Sequence, residues 1–363
     1  MDWRGTMSAR RLGLGACLLV FGLLFTACPG GGDDGGLLGE ITDRGDIRCG
    51  VNDSVPGFGF LEGDEYQGFD VDFCRAVAAA VTGDAGNVEF QTISADARFT
   101  ALQGDEIDVL IRNTTWTSSR DGTEGAAFAT TTFYDGQGMM VRADSPYQNI
   151  DDMGGASICV LSGTTTETNL ATQFEARNLE FDPLSYEDVE TIQRNFIEER
   201  CDGWTSDKSQ LAGIRSTWPE NEGGPDALRI LDETLSKEPL GPVVRDGETA
   251  WFDAVNWTVI ATIQAEEFGI TSANVDQIRA DTDNPAIRRF LGEEVEGAED
   301  EGPAPFDSGL DLPTDFAYQV VKQVGNYAEI YDRNVGSDTP LGLERGPNAL
   351  WTNGGLHYAP PYS

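Results

Sequence analysis

Two stretches of this chain carry side chains whose chemistry suits the capture of a small charged molecule. The first is Asp108–Arg120, DVLIRNTTWTSSR. Val109, Leu110 and Ile111 form an apolar run that fits a strand covered on both faces. Asn113, Thr114, Thr115, Thr117, Ser118 and Ser119 then supply donors just beyond the strand's carboxyl end, where open α/β sheets hold their ligands. Arg120 adds a planar fork able to grip a carboxylate through two parallel hydrogen bonds. A strand followed by a Ser/Thr-rich turn with a solvated arginine is the plainer alternative. The second stretch is Ser162-Gly163-Thr164-Thr165-Thr166, between a strand pattern (Ala156–Leu161) and a helical one (Glu167–Ala176). A helix start presents free backbone N–H groups, a ready anion site; a simple helix cap reads the same way.

The elements that position these stretches follow from periodicity. Asp46–Val51 reads as a first strand, Asn52–Gly68 as a Gly- and Pro-punctuated loop holding Phe58, Phe60 and Tyr66, and Gly68–Val81 as a helix with Val71, Cys74, Val77, Ala78 and Val81 on one face. Asn87–Ile93 alternates as a strand, Phe99–Gly104 fits a short helix, and Asp108–Ile111 is the next strand. Strand and helix in alternation predict right-handed parallel crossovers and an α/β domain. Phe133–Val141 reads as an extended segment leaving that domain, and a second unit starts near Asp151. In it Thr191–Glu199 is helical, Cys201–Thr205 a strand whose end carries Ser206 and Asp207, and Leu240–Val244 a return strand. Trp251–Phe268 and Asp315–Asn334 are helical patterns, separated by an acidic loop, Gly292–Pro305.

The 363 residues suit two domains, and the formal net charge of −38 excludes nucleic acid and anionic lipid headgroups as partners. Only three of the 24 basic residues are lysine (Lys208, Lys237, Lys322). Such an acidic excess predicts a protein suited to a saline habitat, with stability that rises across a salt series as self-repulsion is screened. Arg4, Arg10 and Arg11 precede an uncharged, largely apolar run, Leu12–Ala27, too short for a membrane span and suited to a secretory leader. It ends in Leu24-Phe25-Thr26-Ala27-Cys28, which resembles a bacterial lipobox; Phe25 departs from the preferred aliphatic residue. Residues 1–27 are thus expected to be a lipoprotein signal peptide, with Cys28 the lipid attachment site and residues 28–43, which include PGGGDDGG, a flexible tether. Ordinary secretion with cleavage nearby is the alternative. Of the remaining cysteines, Cys49 and Cys74 fall in the first unit and Cys159 and Cys201 in the second. Pairing each within its own unit, Cys49 with Cys74 and Cys159 with Cys201, is the arrangement most consistent with independent domains; a free Cys74 in the core is the alternative. With no CxxC and a single histidine, His357, neither a metal site nor a cofactor is expected.

Several passages together resemble one family: GFDVDFCRAVAAAV, FTALQ with DVLIRNTTWTSSRD, FYDGQGMMV, SGTTTETNL, SKEPLGPVVRDG, VGNYAEIYDRNVG and ALWTNGGLHYAPP. The chain resembles the periplasmic solute-binding proteins of ABC transporters for polar amino acids, in the general L-amino-acid-binding branch with a C-terminal extension. That resemblance implies a type II periplasmic-binding-protein fold of two α/β lobes joined by a two-crossover hinge: residues 44–142 with 241–363 as lobe one, and 143–240 as lobe two. It implies an extracytoplasmic monomer that takes an L-amino acid between its lobes and hands it to an ABC permease; the lipobox-like run adds the expectation of a membrane anchor through Cys28. Carried over to this sequence, it assigns the ligand carboxylate to Arg120, Thr115 and Asn113 from the first lobe and to Gly163, Thr164 and Thr165 from the second. Asp207 takes the ligand ammonium. The aromatic residue that stacks on the ligand in some relatives has no counterpart near Asn52–Val55 or Asp96, so Phe58 and Phe60 are expected to wall the cleft. Trp116 serves either lobe packing or the ligand.

A periplasmic enzyme on the same fold, of dehydratase or lytic transglycosylase type, needs an acid/base pair or a separate catalytic domain, and neither is visible. A sensory receptor needs a membrane helix after the folded region. A non-enzymatic receptor is therefore the expectation.

Overall fold

The computed structural model describes residues 36–296 and 303–362; the leader 1–27, Cys28 and the acidic residues 297–302 lie outside them. The chain enters through a helix, α1 (Gly36–Arg44), which buries Leu37, Leu38 and Ile41. These three fall on one helical face, and the Leu37 amide donates to Glu248 Oε2 at 3.2 Å. The tether expected over 28–43 therefore gives way to packed helix from Gly36 onward.

The first lobe grows around β1 (Ile47–Val51), apolar at most positions because helices cover the sheet. The loop expected over Asn52–Gly68 is instead a small antiparallel sheet of β2 (Ser54–Val55), β3 (Gly59–Glu62) and β4 (Glu65–Gln67). Helix α2 (Phe69–Thr82), β5 (Val88–Thr92), α3 (Arg98–Gln103), β6 (Val109–Leu110), α4 (Ser118–Thr123) and β7 (Ala126–Phe128) follow. β1 pairs in parallel with both β5 and β6, as the alternation predicts. Cys49 on β1 is joined to Cys74 on α2.

The long strand β8 (Phe133–Arg142) carries the chain into the second lobe. There β9 (Ser157–Leu161), α5 (Thr165–Ala176), β10 (Asp182–Tyr186), α6 (Val189–Ile197), β11 (Gly203–Asp207), α7 (Lys208–Ser216) and β12 (Leu228–Ile230) build a sheet in the order β10-β9-β11-β8-β12. Cys159 on β9 is joined to Cys201, just ahead of β11. The return runs through β13 (Lys237–Leu240), antiparallel to β8, and β14 (Val243–Arg245), which lies between β6 and β7 in the first sheet. Helices α8 (Thr249–Glu267), α9 (Val275–Asp281), α10 (Pro285–Phe290), α11 (Phe316–Gln323) and α12 (Tyr327–Asn334) complete the first lobe.

Each lobe has its own core. Phe58, Phe69, Phe133, Tyr327 and Tyr331 interlock in the first, while Trp204, Phe196 and Trp218 fill one face of the second sheet and Met139, Ile158 and Phe174 the other. Phe58 is therefore not a cleft residue: only 1% exposed, its ring lies 5.7 Å from Phe69 and 5.1 Å from Phe133. Phe60, 36% exposed, lines a separate groove between Pro56 and Leu341 of the first lobe and Ser216 and Thr217 of the second, and is not among the residues around Asp207. Neither ring lines the cavity around Asp207, Phe58 because the core rings of Phe69 and Phe133 claim it. No helix among the described residues is long and apolar enough to cross a membrane.

Candidate functional site

On the first-lobe side the loop after β6 is held in an unusual conformation. Asn113 has φ 34°, a left-handed value that non-glycine residues seldom adopt. Two bonds fix it there: its amide donates to Asp70 Oδ2 at 2.6 Å, and Asn52 Nδ2 donates to its Oδ1 at 2.5 Å. Thr117 then caps α4, its hydroxyl accepting from the Arg120 amide at 3.2 Å. Arg120 turns inward, 8% exposed, and donates from Nη1 to the Thr115 carbonyl at 2.9 Å.

Two further arginines that sequence reasoning missed share this wall. Arg98, at the start of α3, is 3% exposed and donates from Nη2 across the cleft to the Gly163 carbonyl at 3.0 Å. The guanidiniums of Arg98 and Arg120 each lie 5.5 Å from the Phe99 ring centre. Arg112 donates from Nε to the Ile93 carbonyl at 2.5 Å. Burial lowers the pKa of all three: well below the usual value for Arg98, where Arg120 and Arg112 add to the effect, and to about 10 for Arg112. A wall that keeps three cations under such strain is a strong attractor for an anion.

The second lobe faces it with opposite charge. Asp207, at the end of β11, is 5% exposed and accepts from Asn113 Nδ2 at 3.2 Å. Burial first, then the carboxylates of Asp135 and Glu238, hold its pKa well above the ordinary aspartate value. Glu238 accepts from Thr165 Oγ1 at 2.8 Å and Asn169 Nδ2 at 2.9 Å. Burial raises Asp135 to about 6, against hydrogen bonds from Ser209 and the Gly136 amide. Among the described residues, two buried polar atoms in this cleft have no hydrogen-bond partner: Asp207 Oδ1 and Arg98 Nε.

Thr164 caps α5, its hydroxyl accepting from the Glu167 amide at 3.2 Å, which leaves the first-turn amides of Thr165 and Thr166 without intrahelical partners. Gly163 departs from its expected role. Its N–H donates to Glu167 Oε2 at 3.1 Å and its carbonyl accepts from Arg98, so it is engaged by its own loop and by the opposite lobe. Thr115 and Thr165 meet across the cleft, hydroxyl to hydroxyl, at 3.3 Å. Asn113, Thr115, Arg120, Thr164, Thr165 and Asp207 thus line one cavity, joined by Asn52, Arg98, Arg112, Ser206 and Gln210. Its volume is about 20 Å³, so the lobes are shut on each other. Trp116 stays outside, 43% exposed and stacked on Phe128 at 6.0 Å. No group of three or more His, Cys, Asp or Glu among the described residues is placed to hold a metal ion. Chemically, a cleft cationic on one side and anionic on the other complements a small zwitterion.

Residues 47–271 match the family model of bacterial extracellular solute-binding proteins, family 3. The general L-amino acid-binding periplasmic protein AapJ of Rhizobium johnstonii is 47% identical over 325 residues, covering 89% of this chain and 92% of the relative. The glutamate/glutamine/aspartate/asparagine-binding protein BztA of Rhodobacter capsulatus is 44% identical, covering 90% of this chain and 93% of the relative. A Brucella ovis periplasmic binding protein of an ABC transporter, solved with glutathione bound, superposes with a TM-score of 0.83 at 44% identity over 90% of this chain and 99% of its own.

Proposed function

Since the chain belongs to the bacterial extracellular solute-binding proteins of family 3, we propose that it captures L-amino acids in the cleft between its lobes and delivers them to an ABC permease. The observation that carries this reading is the buried Asp207 Oδ1, partnerless and facing a wall of three arginines. Arg120, the Thr115 hydroxyl and the α5 amides take the α-carboxylate; Asp207 takes the α-ammonium. Each charge of the ligand is thereby paired on a different lobe, so a zwitterion bridges them and favours the shut form. Arg98, whose Nε also lacks a partner, faces the remaining part of the ligand together with Gln210 and Asn52. It favours side chains ending in a carboxylate or carboxamide oxygen.

The shut cavity has about the volume that one water requires, by the rough 10–15 Å³ minimum. An amino acid is therefore accommodated by movement of the lining side chains, with Arg98 and Gln210 shifting to suit the cargo, which suits a broad range. The cleft's charged groups serve in binding roles, so we read the protein as a receptor and not an enzyme. Cys28 follows a lipobox-like run, and we propose that it anchors the monomeric receptor on the outer side of the cytoplasmic membrane.

Calorimetry of residues 36–363 against the twenty amino acids, dicarboxylates, polyamines and glutathione tests this. Micromolar or tighter binding of several L-amino acids is expected, with acidic and amide side chains foremost. No heat and no thermal stabilisation with any of them would overturn it.

A further inference from the structure

We propose that the C-terminal extension braces the hinge, and that Asn348 is the positioning residue through which it acts. The inference rests on the receptor reading above, because it concerns how the two lobes move on ligand binding.

The lobes are connected through β8 and β13, where Tyr134 opposes Pro239 and Asp135 opposes Glu238. At this rung the two backbones face away from each other, the Pro239 carbonyl accepting from the Trp116 amide. The Tyr134 backbone is satisfied from elsewhere: its N–H donates to Asn348 Oδ1 at 2.6 Å, and Asn348 Nδ2 donates to its carbonyl at 3.2 Å. One side chain thus does for Tyr134 what a neighbouring strand would do. Asn348 is only 3% exposed, so water does not compete for these bonds. Its own position is fixed by Arg345, which donates from Nε to the Asn348 carbonyl at 3.0 Å and pairs with Glu266 on α8 at 3.0 Å. Tyr327 on α12 secures the chain just ahead of β8, its hydroxyl donating to the Thr132 carbonyl at 2.7 Å. The His357 ring packs 5.3 Å from Tyr134 and 4.2 Å from Tyr327.

One residue further along, the allegiance of both strands changes. The Asp135 carboxylate accepts from the Ser209 amide of α7, in the second lobe, at 3.2 Å. On the return strand Glu238 is bonded to Thr165 and Asn169 of the second lobe, whereas the Pro239 carbonyl accepts from the Trp116 amide of the first at 2.8 Å. The Tyr134–Pro239 rung is therefore tied to the first lobe and the Asp135–Glu238 rung to the second. The bending axis crosses both strands between these two rungs, and Asn348 confines it there.

Hydrogen exchange of the intact protein, with and without the amino acid found by calorimetry, tests this directly. The Tyr134 amide keeps the same protection in both states, while exchange at Asp135–Gln137 and Ser236–Glu238 changes with ligand. In Asn348→Ala, ligand-dependent exchange spreads back to 132–134. Affinity falls on the order of fivefold to tenfold, because fewer hinge geometries are competent to bind. A purely stabilising Asn348 would raise exchange without moving the ligand-dependent segment. Tyr134 protection in the wild-type protein that follows the ligand as Asp135–Gln137 does would overturn the brace, whether or not the variant folds. So would an Asn348→Ala affinity within twofold of wild type. Binding that is normal alongside either result would leave the receptor reading intact; a protein that binds no amino acid takes both readings with it.

Discussion

Replacing Asp207 by asparagine has two effects of opposite sign. The side chain keeps its shape and an oxygen able to accept from Asn113 Nδ2, now 3.2 Å away, so the cleft keeps its form. What is lost is the charge that answers the ligand ammonium. Removing one member of a buried charge pair costs about 2–5 kcal/mol, or roughly 30-fold to several thousand-fold in Kd. In the absence of ligand the change acts the other way. The shut form buries Asp207 beside Asp135 and Glu238 with Oδ1 unsatisfied, and such a group costs about 1–3 kcal/mol. Asparagine relieves the carboxylate repulsion, so the ligand-free shut population rises by roughly fivefold to a hundredfold. Calorimetry reads the first effect and small-angle scattering of the ligand-free protein the second, as a smaller radius of gyration. Affinity within threefold of wild type, together with an unchanged ligand-free radius, would refute the assignment of Asp207.

Two other perturbations probe the first-lobe wall. Arg98→Leu should weaken every amino acid through the lost bond across the cleft to the Gly163 carbonyl, and glutamate and aspartate by about 2–5 kcal/mol more, so competition binding between the two classes reads its role. Asp70, 2% exposed, is raised by burial to about 7 from the ordinary 3.8, even though the Asn113 amide bonds it. Between those two values the folded protein holds a proton that the unfolded chain has released, so this group's contribution is complete below pH 3.8 and is lost as pH rises toward 7. Asp70→Asn removes that loss. Its stability relative to wild type should climb between pH 4 and 7, by at most about 4 kcal/mol, and then level off in thermal unfolding.

How much of this was legible in the residues depended on whether the determining contact was local. β6 and the Thr164 cap are local events, and apolar runs and Ser/Thr clusters announce them. Arg120 announced itself by residue type, a fork beside a donor-rich loop. Arg98 did not: in ADARFTALQ it resembles a surface arginine on a short helix, and only the approach of the second lobe buries it against Gly163. Asp70 stands in the first turn of α2, where an acid is commonplace, yet its partner is the amide of Asn113, 43 residues away. Phe58 was expected at the cleft wall for want of another aromatic nearby, but Phe133, far along the chain, claims its ring for the core. Gly163 shows the converse error. Its type fits a ligand-facing turn, and Glu167, four residues on, takes up its N–H. Long-range partners are what a single sequence displays least.

Gly213 shows how closure itself left a mark on residue choice. It lies inside α7 at a helical position, where glycine is less favourable than alanine by about 1 kcal/mol. Its backbone torsion does not call for glycine, so packing must account for it. A Cβ here would stand 2.6 Å from the Pro56 carbonyl oxygen in the first lobe, a backbone atom that cannot swing aside. Alanine at 213 therefore fits the separated lobes and collides when they shut. Two measurements should then diverge. Gly213→Ala raises the ligand-free unfolding temperature by a degree or more, as about 1 kcal/mol of helix propensity implies. At the same time it weakens binding of every amino acid by a similar factor, since the clash lies away from the ligand and taxes the shut form alone. The uniformity distinguishes this from any loss of a ligand contact, which would fall unevenly across side chains. A variant that is more stable without ligand and binds as tightly as wild type would show that the lobes need not approach so closely to hold their cargo.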